Sequence, residues 1–263
     1  MFGDLQSLLP IIVPFALVLF RVMGLFVFVP AFSNVAIPAN VKVLLALAIS
    51  VCIWPIVPKP AVLPETLTGI AVAVAGEMSV GLVIGILSTL VVAGIQLGAH
   101  MISQQMGLSL ATVYDPMFDE QSTVIEQLAF WMSIVVFFAI GGHRELINAL
   151  VYSYQRVPMG GGAGDGGLGA QYMLNVAIGG IDASFHTAVR VGAPALVAFF
   201  LSSLASGFIG RSVPQMHIMQ ITISANLLIG MGMLMIGFVG WALVATDTWR
   251  DLFQTYHHVL GRQ

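Results

Sequence analysis

The chain has 263 residues, of which 58% are hydrophobic and 8% are charged, and its formal net charge is −3. Soluble domains carry roughly 25% charged residues, so this chain has too few charged residues to form the surface of a water-soluble protein. Its mean hydropathy of +0.97 indicates an integral membrane protein. The nine Lys and Arg residues form no basic cluster, so nothing predicts nucleic-acid binding.

The hydrophobic stretches predict an all-α, integral membrane-type protein with about six hydrophobic helices. A helix that crosses a bilayer needs about 20 apolar residues, and several stretches are short or interrupted by a charge. In chain order they cover 8–32, 43–57, 67–97, 127–142, 186–210 and 216–245.

Two further helices are predicted outside these stretches. Residues 141–160 form a short helix that ends near Pro158 and Gly160. The tail after residue 245 is amphipathic, which is typical of a helix at the membrane interface or against a partner. One face of that tail carries Trp249, Leu252, Phe253, Tyr256 and Leu260.

Three charged residues interrupt the apolar stretches, namely Arg21, Glu77 and Arg190. Each would cost roughly 2.5–3.5 kcal/mol at the bilayer centre, so we expect none of them to face lipid. Three interpretations remain open: buried ion pairs that fix the register of the helices, a proton or ion relay, and contacts with a partner subunit. Pairing of Arg21 with Glu77 is compatible with the sequence but does not follow from it.

A polar segment at 103–126 stands out between apolar stretches, because it carries four of the chain's twelve acidic residues. Asp115 precedes Pro116, which predicts a turn. Irregular backbone at membrane depth must be buried in protein or line a water-filled cavity. The segment is therefore either an aqueous loop between helices or part of a pore.

The sequence contains no HExxH, GxSxG or P-loop motif and no His or Cys set at metal-ligand spacing. We therefore predict neither an enzyme nor a cofactor or metal site. The glycine-rich stretch at 159–169 predicts a linker between an N-terminal and a C-terminal half.

Five ordered segments extend over nearly the whole chain. They are RVMGLFVFVP at 21–30 with Ile37, Pro38 and Lys42; Glu77 with Gly81 and Gly85; GLSLATVYDP at 107–116; GGHRELINALVYSYQRVPMG at 141–160; and APALVAFFLSSLASGFIGRSVPQMHIM at 193–219. Together they resemble the FliR family of flagellar type III export-gate proteins and its injectisome counterparts, and the flagellar branch more closely. The chain departs from the family pattern at His217, where Asn is usual, and at Ser224 and Asn226, where Pro and Lys are frequent.

The resemblance implies tilted helical hairpins in two halves, a FliP-like one at 1–158 and a FliQ-like one at 170–263. It also implies assembly with FliP-like and FliQ-like subunits into an export gate of the flagellar basal body in the bacterial inner membrane. Further implied contacts are with FlhB-like and FlhA-like proteins, unfolded export substrates and membrane lipid.

Residues 107–122 would then form a plug loop that closes the channel of this gate. The implied plug or gate residues are Gly107, Leu108, Leu110, Val113, Tyr114, Asp115, Pro116, Met117 and Phe118. The implied buried or assembly charges are Arg21, Glu77, Arg190 and Arg211.

A competing interpretation from another class is a self-contained transporter or channel with Arg21, Glu77 and Arg190 along its polar pathway. Such proteins usually contain internal repeats, and the sequence has no recognisable repeat. An intramembrane enzyme is a third interpretation, but it lacks any nucleophile–base pair or metal motif.

Overall fold

A computed structural model describes residues 2–33, 38–58, 66–108, 123–160, 168–212 and 218–260. These residues form eight α-helices and no strand, so the predicted all-α membrane-type fold is confirmed. The helices are α1 Phe2–Phe28, α2 Pro30–Ser33, α3 Ala39–Ile53, α4 Leu67–Gln105, α5 Val124–Ala139, α6 Gly142–Arg156, α7 Leu168–Ser212 and α8 Ile218–Leu260.

Three helices in the described part of the chain are long and apolar enough to cross a membrane: α4, α7 over Leu174–Arg211, and α8 over Gln220–His257. Helices α5 and α6 form a fourth candidate as a pair bent by 69°. Gly141 lies at that bend with a φ of 75°, a left-handed conformation that glycine adopts without steric cost.

The two last helices are longer than their apolar stretches predicted. Helix α7 begins at Leu168, inside the predicted linker, and α8 continues into the amphipathic tail as far as Leu260. Asp182 and Asp247 do not interrupt these helices, because both are exposed and an aspartate costs a helix less than about 1 kcal/mol. At 1.5 Å per residue, the 45 residues of α7 extend over about 68 Å, more than the roughly 30 Å hydrocarbon core of a bilayer.

The chain packs into two compact units that alternate along the sequence. Unit 1 comprises Met1–Leu90, Gly141–Ile181 and Trp249–Gln263, and unit 2 comprises Val91–Ile140 and Asp182–Thr248. These units are defined by contacts within the chain. The predicted FliP-like and FliQ-like halves are defined instead by their likeness to other subunits, and that division stays a prediction.

In unit 1, α1 and α4 approach each other through glycines. A Cβ atom added to Gly24 would lie 2.5 Å from the carbonyl oxygen of Met78, and one added to Gly85 would lie 2.7 Å from that of Leu25. A Cβ atom on Gly81 would overlap the carbonyl oxygen of Arg21. Small residues spaced in this way let the backbones of membrane helices touch, so no larger residue fits between α1 and α4.

From Trp249 onward the amphipathic tail belongs to unit 1, where its aromatic face is buried. Trp249, Phe253 and Tyr256 are only 1%, 7% and 2% exposed. The Tyr256 hydroxyl donates a hydrogen bond of 2.9 Å to the carbonyl oxygen of Ile84 on α4. These side chains are therefore covered by the protein itself rather than by lipid headgroups.

In unit 2, the second half of α4 packs on α7, again through glycines. A Cβ atom on Gly94 would lie 2.5 Å from the carbonyl oxygen of Ser184, and one on Gly98 would lie 2.7 Å from the Cβ atom of Val191. Close glycine contacts therefore occur along α4 in both units.

Candidate functional site

Arg21 and Glu77 form a buried ion pair between α1 and α4 in unit 1. The Arg21 Nε lies 2.5 Å from Oε2 of Glu77, and the two side chains are 0% and 1% exposed. The guanidinium also donates to the Ser153 hydroxyl at 2.9 Å and to the Val157 carbonyl oxygen at 3.0 Å. The pair therefore connects α1 and α4 with the C-terminal end of α6.

Two more groups complete this cluster. The aromatic ring of Tyr154 lies 3.8 Å from the Cζ atom of Arg21, within the range of a cation–π interaction. The second carboxylate oxygen of Glu77 accepts the backbone N–H of Gly160 at 2.9 Å. Gly160 has a φ of 76°, which favours glycine, and it belongs to the glycine-rich stretch. The cluster thus also fixes the point where the chain leaves α6.

The geometry of the cluster matches the first of the three interpretations of these charges, an ion pair that fixes the register of the helices. A relay needs groups that can exchange protons or ions with water. Arg21 and Glu77 are both almost completely buried, and each makes several hydrogen bonds. A buried charge with its partners in place stabilises one arrangement, whereas removal of one partner leaves an uncompensated charge.

Arg190 and Arg211 differ from this pair, because both are exposed on α7. The chain itself therefore does not bury them. Their predicted contacts with partner subunits stay a prediction.

The polar segment begins where α4 ends, in unit 2. Gly107 has a φ of 79°, its N–H donates to the carbonyl oxygen of Gln104 at 3.0 Å, and the N–H of Leu108 donates to that of Ser103 at 3.3 Å. This pair of bonds is the Schellman motif, which satisfies the last carbonyl groups of a helix and favours glycine at this position. Gly107, a predicted gate residue, therefore terminates α4.

The polar segment ends where α5 begins. The Thr123 hydroxyl oxygen accepts the N–H of Glu126 at 3.4 Å. In return, the Glu126 carboxylate accepts the backbone N–H of Thr123 at 3.3 Å and its hydroxyl at 2.7 Å. These reciprocal bonds form a capping box, which fixes the first turn of a helix.

A hydrogen-bonded chain links the two ends. The Nδ1 atom of His100 on α4 lies 2.9 Å from the Glu126 carboxylate, and its Nε2 atom lies 2.7 Å from the side-chain nitrogen of Gln104. A neutral imidazole with its proton on Nδ1 satisfies both contacts. We name Gln104, His100, Glu126 and Thr123 the loop-base cluster. It ties the last turns of α4 to the first turn of α5, so the segment leaves and returns at one place.

Asn226 of α8 also contacts the end of α4. Its side-chain nitrogen donates to the carbonyl oxygen of Gln105 at 3.1 Å, and its side-chain oxygen accepts the Ser202 hydroxyl at 2.7 Å. Asn226 is one of the positions where the chain departs from the pattern of the FliR family. Here the amide satisfies a carbonyl group that the helix itself leaves unbonded.

The remaining predicted gate residues lie outside the described part of the chain: Leu110, Val113, Tyr114, Asp115, Pro116, Met117 and Phe118. Neither Glu126 nor His100 was predicted as a functional residue from the sequence. The spacing Thr123-x-x-Glu126 was the available signal, since a threonine three residues before a glutamate predicts a capping box. Among the described residues, no group of three or more His, Cys, Asp or Glu side chains could hold a metal ion.

Long apolar helices, glycine-mediated contacts and a buried ion pair between helices define a helical membrane protein with several spans. The family model for bacterial export proteins, family 1, matches residues 12–252. The chain belongs to this family of bacterial export proteins, and the resemblance to the FliR family is confirmed.

Curated relatives extend along most of the chain. The flagellar biosynthetic protein FliR of Caulobacter vibrioides is 28% identical over 242 residues, which cover 92% of this chain and 94% of that protein. FliR of Bacillus subtilis is 26% identical over 257 residues, 98% of each chain. FliR of Escherichia coli is 26% identical over 216 residues, 82% of this chain and 80% of that protein.

Proposed function

We propose that the chain is a subunit of the flagellar protein export apparatus and forms, with FliP-like and FliQ-like subunits, a secretion gate in the bacterial inner membrane. The match to the bacterial export family over residues 12–252 is the observation that carries this proposal. Relatives that align over most of their length are named flagellar biosynthetic proteins. A FliP-like half at 1–158, a FliQ-like half at 170–263 and contacts with FlhB-like and FlhA-like proteins are parts of the same proposal.

The exposed surface of the long helices supports a role within an assembly. In α4, 56% of the most apolar stretch is buried by the chain, against 17% in α7 and 11% in α8. Exposed apolar side chains include Phe200 at 63%, Phe208 at 69% and Ile236 at 81%. Such faces need lipid or other helices to cover them. In a hetero-oligomeric gate within a membrane, the neighbouring subunits provide helices and the membrane provides lipid.

The loop-base cluster supports the proposal that residues 107–122 act as a plug. A secretion channel must stop ions while it admits an unfolded chain. An apolar loop on a fixed base can close a pore by excluding water and can move aside when a chain enters. Leu110, Val113, Met117 and Phe118 would supply the apolar surface of such a plug.

Purification of the tagged full chain from its own host, with mass measurement of the intact complex, tests the assembly. We expect co-purification of FliP-like and FliQ-like subunits with a single copy of this chain. A stable monomer or a symmetric homo-oligomer would overturn the proposal in favour of a self-contained transporter. The bonded, inaccessible state of Arg21 and Glu77 already weighs against a polar pathway through these two residues.

A further inference from the structure

A cavity of about 240 Å³ lies between α4, α7 and α8 within unit 2. Apolar side chains form most of its wall, among them Ile102 from α4, Val191 from α7, and Trp241 and Val244 from α8. Ile236 also lines it and is 81% exposed, so the cavity opens at the outer surface of α8. A site with this lining offers a water molecule too few polar partners to hold it.

Arg190 is the one charged residue among those that line the cavity. It is exposed, and no hydrogen bond or ion pair joins its side chain to another residue of the described ranges. Pro194, one helical turn further along α7, also lines the cavity. Because proline has no N–H to donate, the carbonyl group of Arg190 lacks its usual bond within the helix. The guanidinium of Arg190, which has no protein partner in the described ranges, therefore lies beside an apolar cavity on a membrane helix.

We propose that this cavity binds a membrane phospholipid, with its phosphate on the Arg190 guanidinium and one acyl chain in the apolar groove. A guanidinium binds phosphate oxygens through charge-assisted hydrogen bonds, and phosphate is the anion that a bilayer supplies. An engineered apolar cavity of about 150 Å³ admits benzene, so 240 Å³ accommodates a segment of an acyl chain. This proposal needs the chain to be in a membrane and does not rest on the export function.

Glycines line part of the cavity, and substituting one of them tests whether the cavity is the binding site. Gly240 lines it, and a Cβ atom added there would meet nothing within 4 Å. Gly240→Leu therefore introduces an apolar side chain at the cavity wall, and its Cβ atom meets no neighbouring atom. Gly232→Leu is the matched control, because Gly232 lies on the same helix, also faces open space and does not line the cavity.

The test is photolabelling of the full chain, purified with the subunits that accompany it and placed in nanodiscs of phosphatidylethanolamine and phosphatidylglycerol. The probe is a phosphatidylglycerol with a diazirine in the middle of one acyl chain, and labelled peptides are mapped by mass spectrometry. We expect adducts on the cavity wall, at Val191 and Val244. Gly240→Leu should remove them and Gly232→Leu should keep them.

The charge is tested separately. Arg190→Gln should lower cavity labelling about tenfold, the effect of losing one charge-assisted hydrogen bond, and Arg190→Lys should retain most of it. A diacylglycerol with the same diazirine lacks the phosphate and should label the cavity of the unmodified protein less than the phospholipid does. Equal labelling by the two probes would overturn the proposal. A cavity that the probe leaves unlabelled, because a neighbouring subunit fills it, would overturn the proposal as well.

Discussion

The Nε atom of Arg21 lies 2.5 Å from Oε2 of Glu77, although 56 residues separate the two in the sequence. Both side chains are almost completely buried. The glycines next to them allow this contact, since Gly81 on α4 touches the backbone of α1 at Arg21 itself. The ion pair and the close contact between the helices are therefore one structural feature.

Glu77→Leu should destabilise the protein by about 3–5 kcal/mol, because the charge of Arg21 stays buried without its partner. The double variant Arg21→Met with Glu77→Leu should regain most of that loss, since no charge remains unpaired. Thermal unfolding and the yield of the purified complex measure both effects. Arg144→Gln is the control, because Arg144 is 80% exposed and exposed pairs contribute only about 0–1 kcal/mol. Normal amounts of intact complex with a pure transport defect would instead favour the relay interpretation.

Gly81→Ala should lower the thermal stability by about 1–3 kcal/mol, since the added methyl group overpacks the contact between α1 and α4. Gly179→Ala is the matched control, because a Cβ atom there meets nothing within 4 Å. Alanine is about 1 kcal/mol better than glycine in a helix, so this control should be neutral or stabilising. If Gly81→Ala and Gly179→Ala changed the thermal stability equally, the close approach of α1 and α4 would be contradicted.

Glu126→Ala should loosen the loop-base cluster, because it removes both the capping box and the contact with His100. Hydrogen exchange of the first turn of α5 should become faster by about tenfold or more, because the Glu126 carboxylate accepts hydrogen bonds from Thr123 and contacts His100, and a hydrogen bond to a charged group contributes about 1.5–3 kcal/mol. Gln127→Ala is the control, as Gln127 is exposed and lies outside the cluster. Unchanged protection in Glu126→Ala would show that the cluster does not hold the first turn.

Deletion of residues 110–116 should keep the assembly intact but make the membrane permeable to ions, because the proposed plug would no longer exclude water from the channel. Ion leakage is measured in cells that carry the complex, together with its yield. Serine replacement of Leu110, Val113 and Met117 tests whether the apolar surface is responsible, since it leaves the loop length unchanged. Normal impermeability together with normal secretion in the deletion strain would rule out the plug.

The sequence predicted some of these features closely and missed others. Glu77 was expected to avoid lipid, since a charge at the bilayer centre is costly, yet its partner was one of several alternatives. His100 was not predicted as a site residue, because its contact with Glu126 joins two helices. The lengths of α7 and α8 were underestimated, since hydropathy identifies apolar stretches and helices continue through exposed polar residues such as Asp182.

The sequence by itself determined the membrane class, the positions of the main helices and the family, because hydropathy, helix periodicity and motif order can be read along one chain. Only the tertiary structure decided that Arg21 pairs with Glu77 and that α4 and α5 are tied together at the base of the polar segment. The tertiary structure also decided that Arg190 lies beside an apolar cavity. These relationships depend on how closely the helices approach each other. Between α1 and α4 and between α4 and α7, that distance is set by glycine contacts.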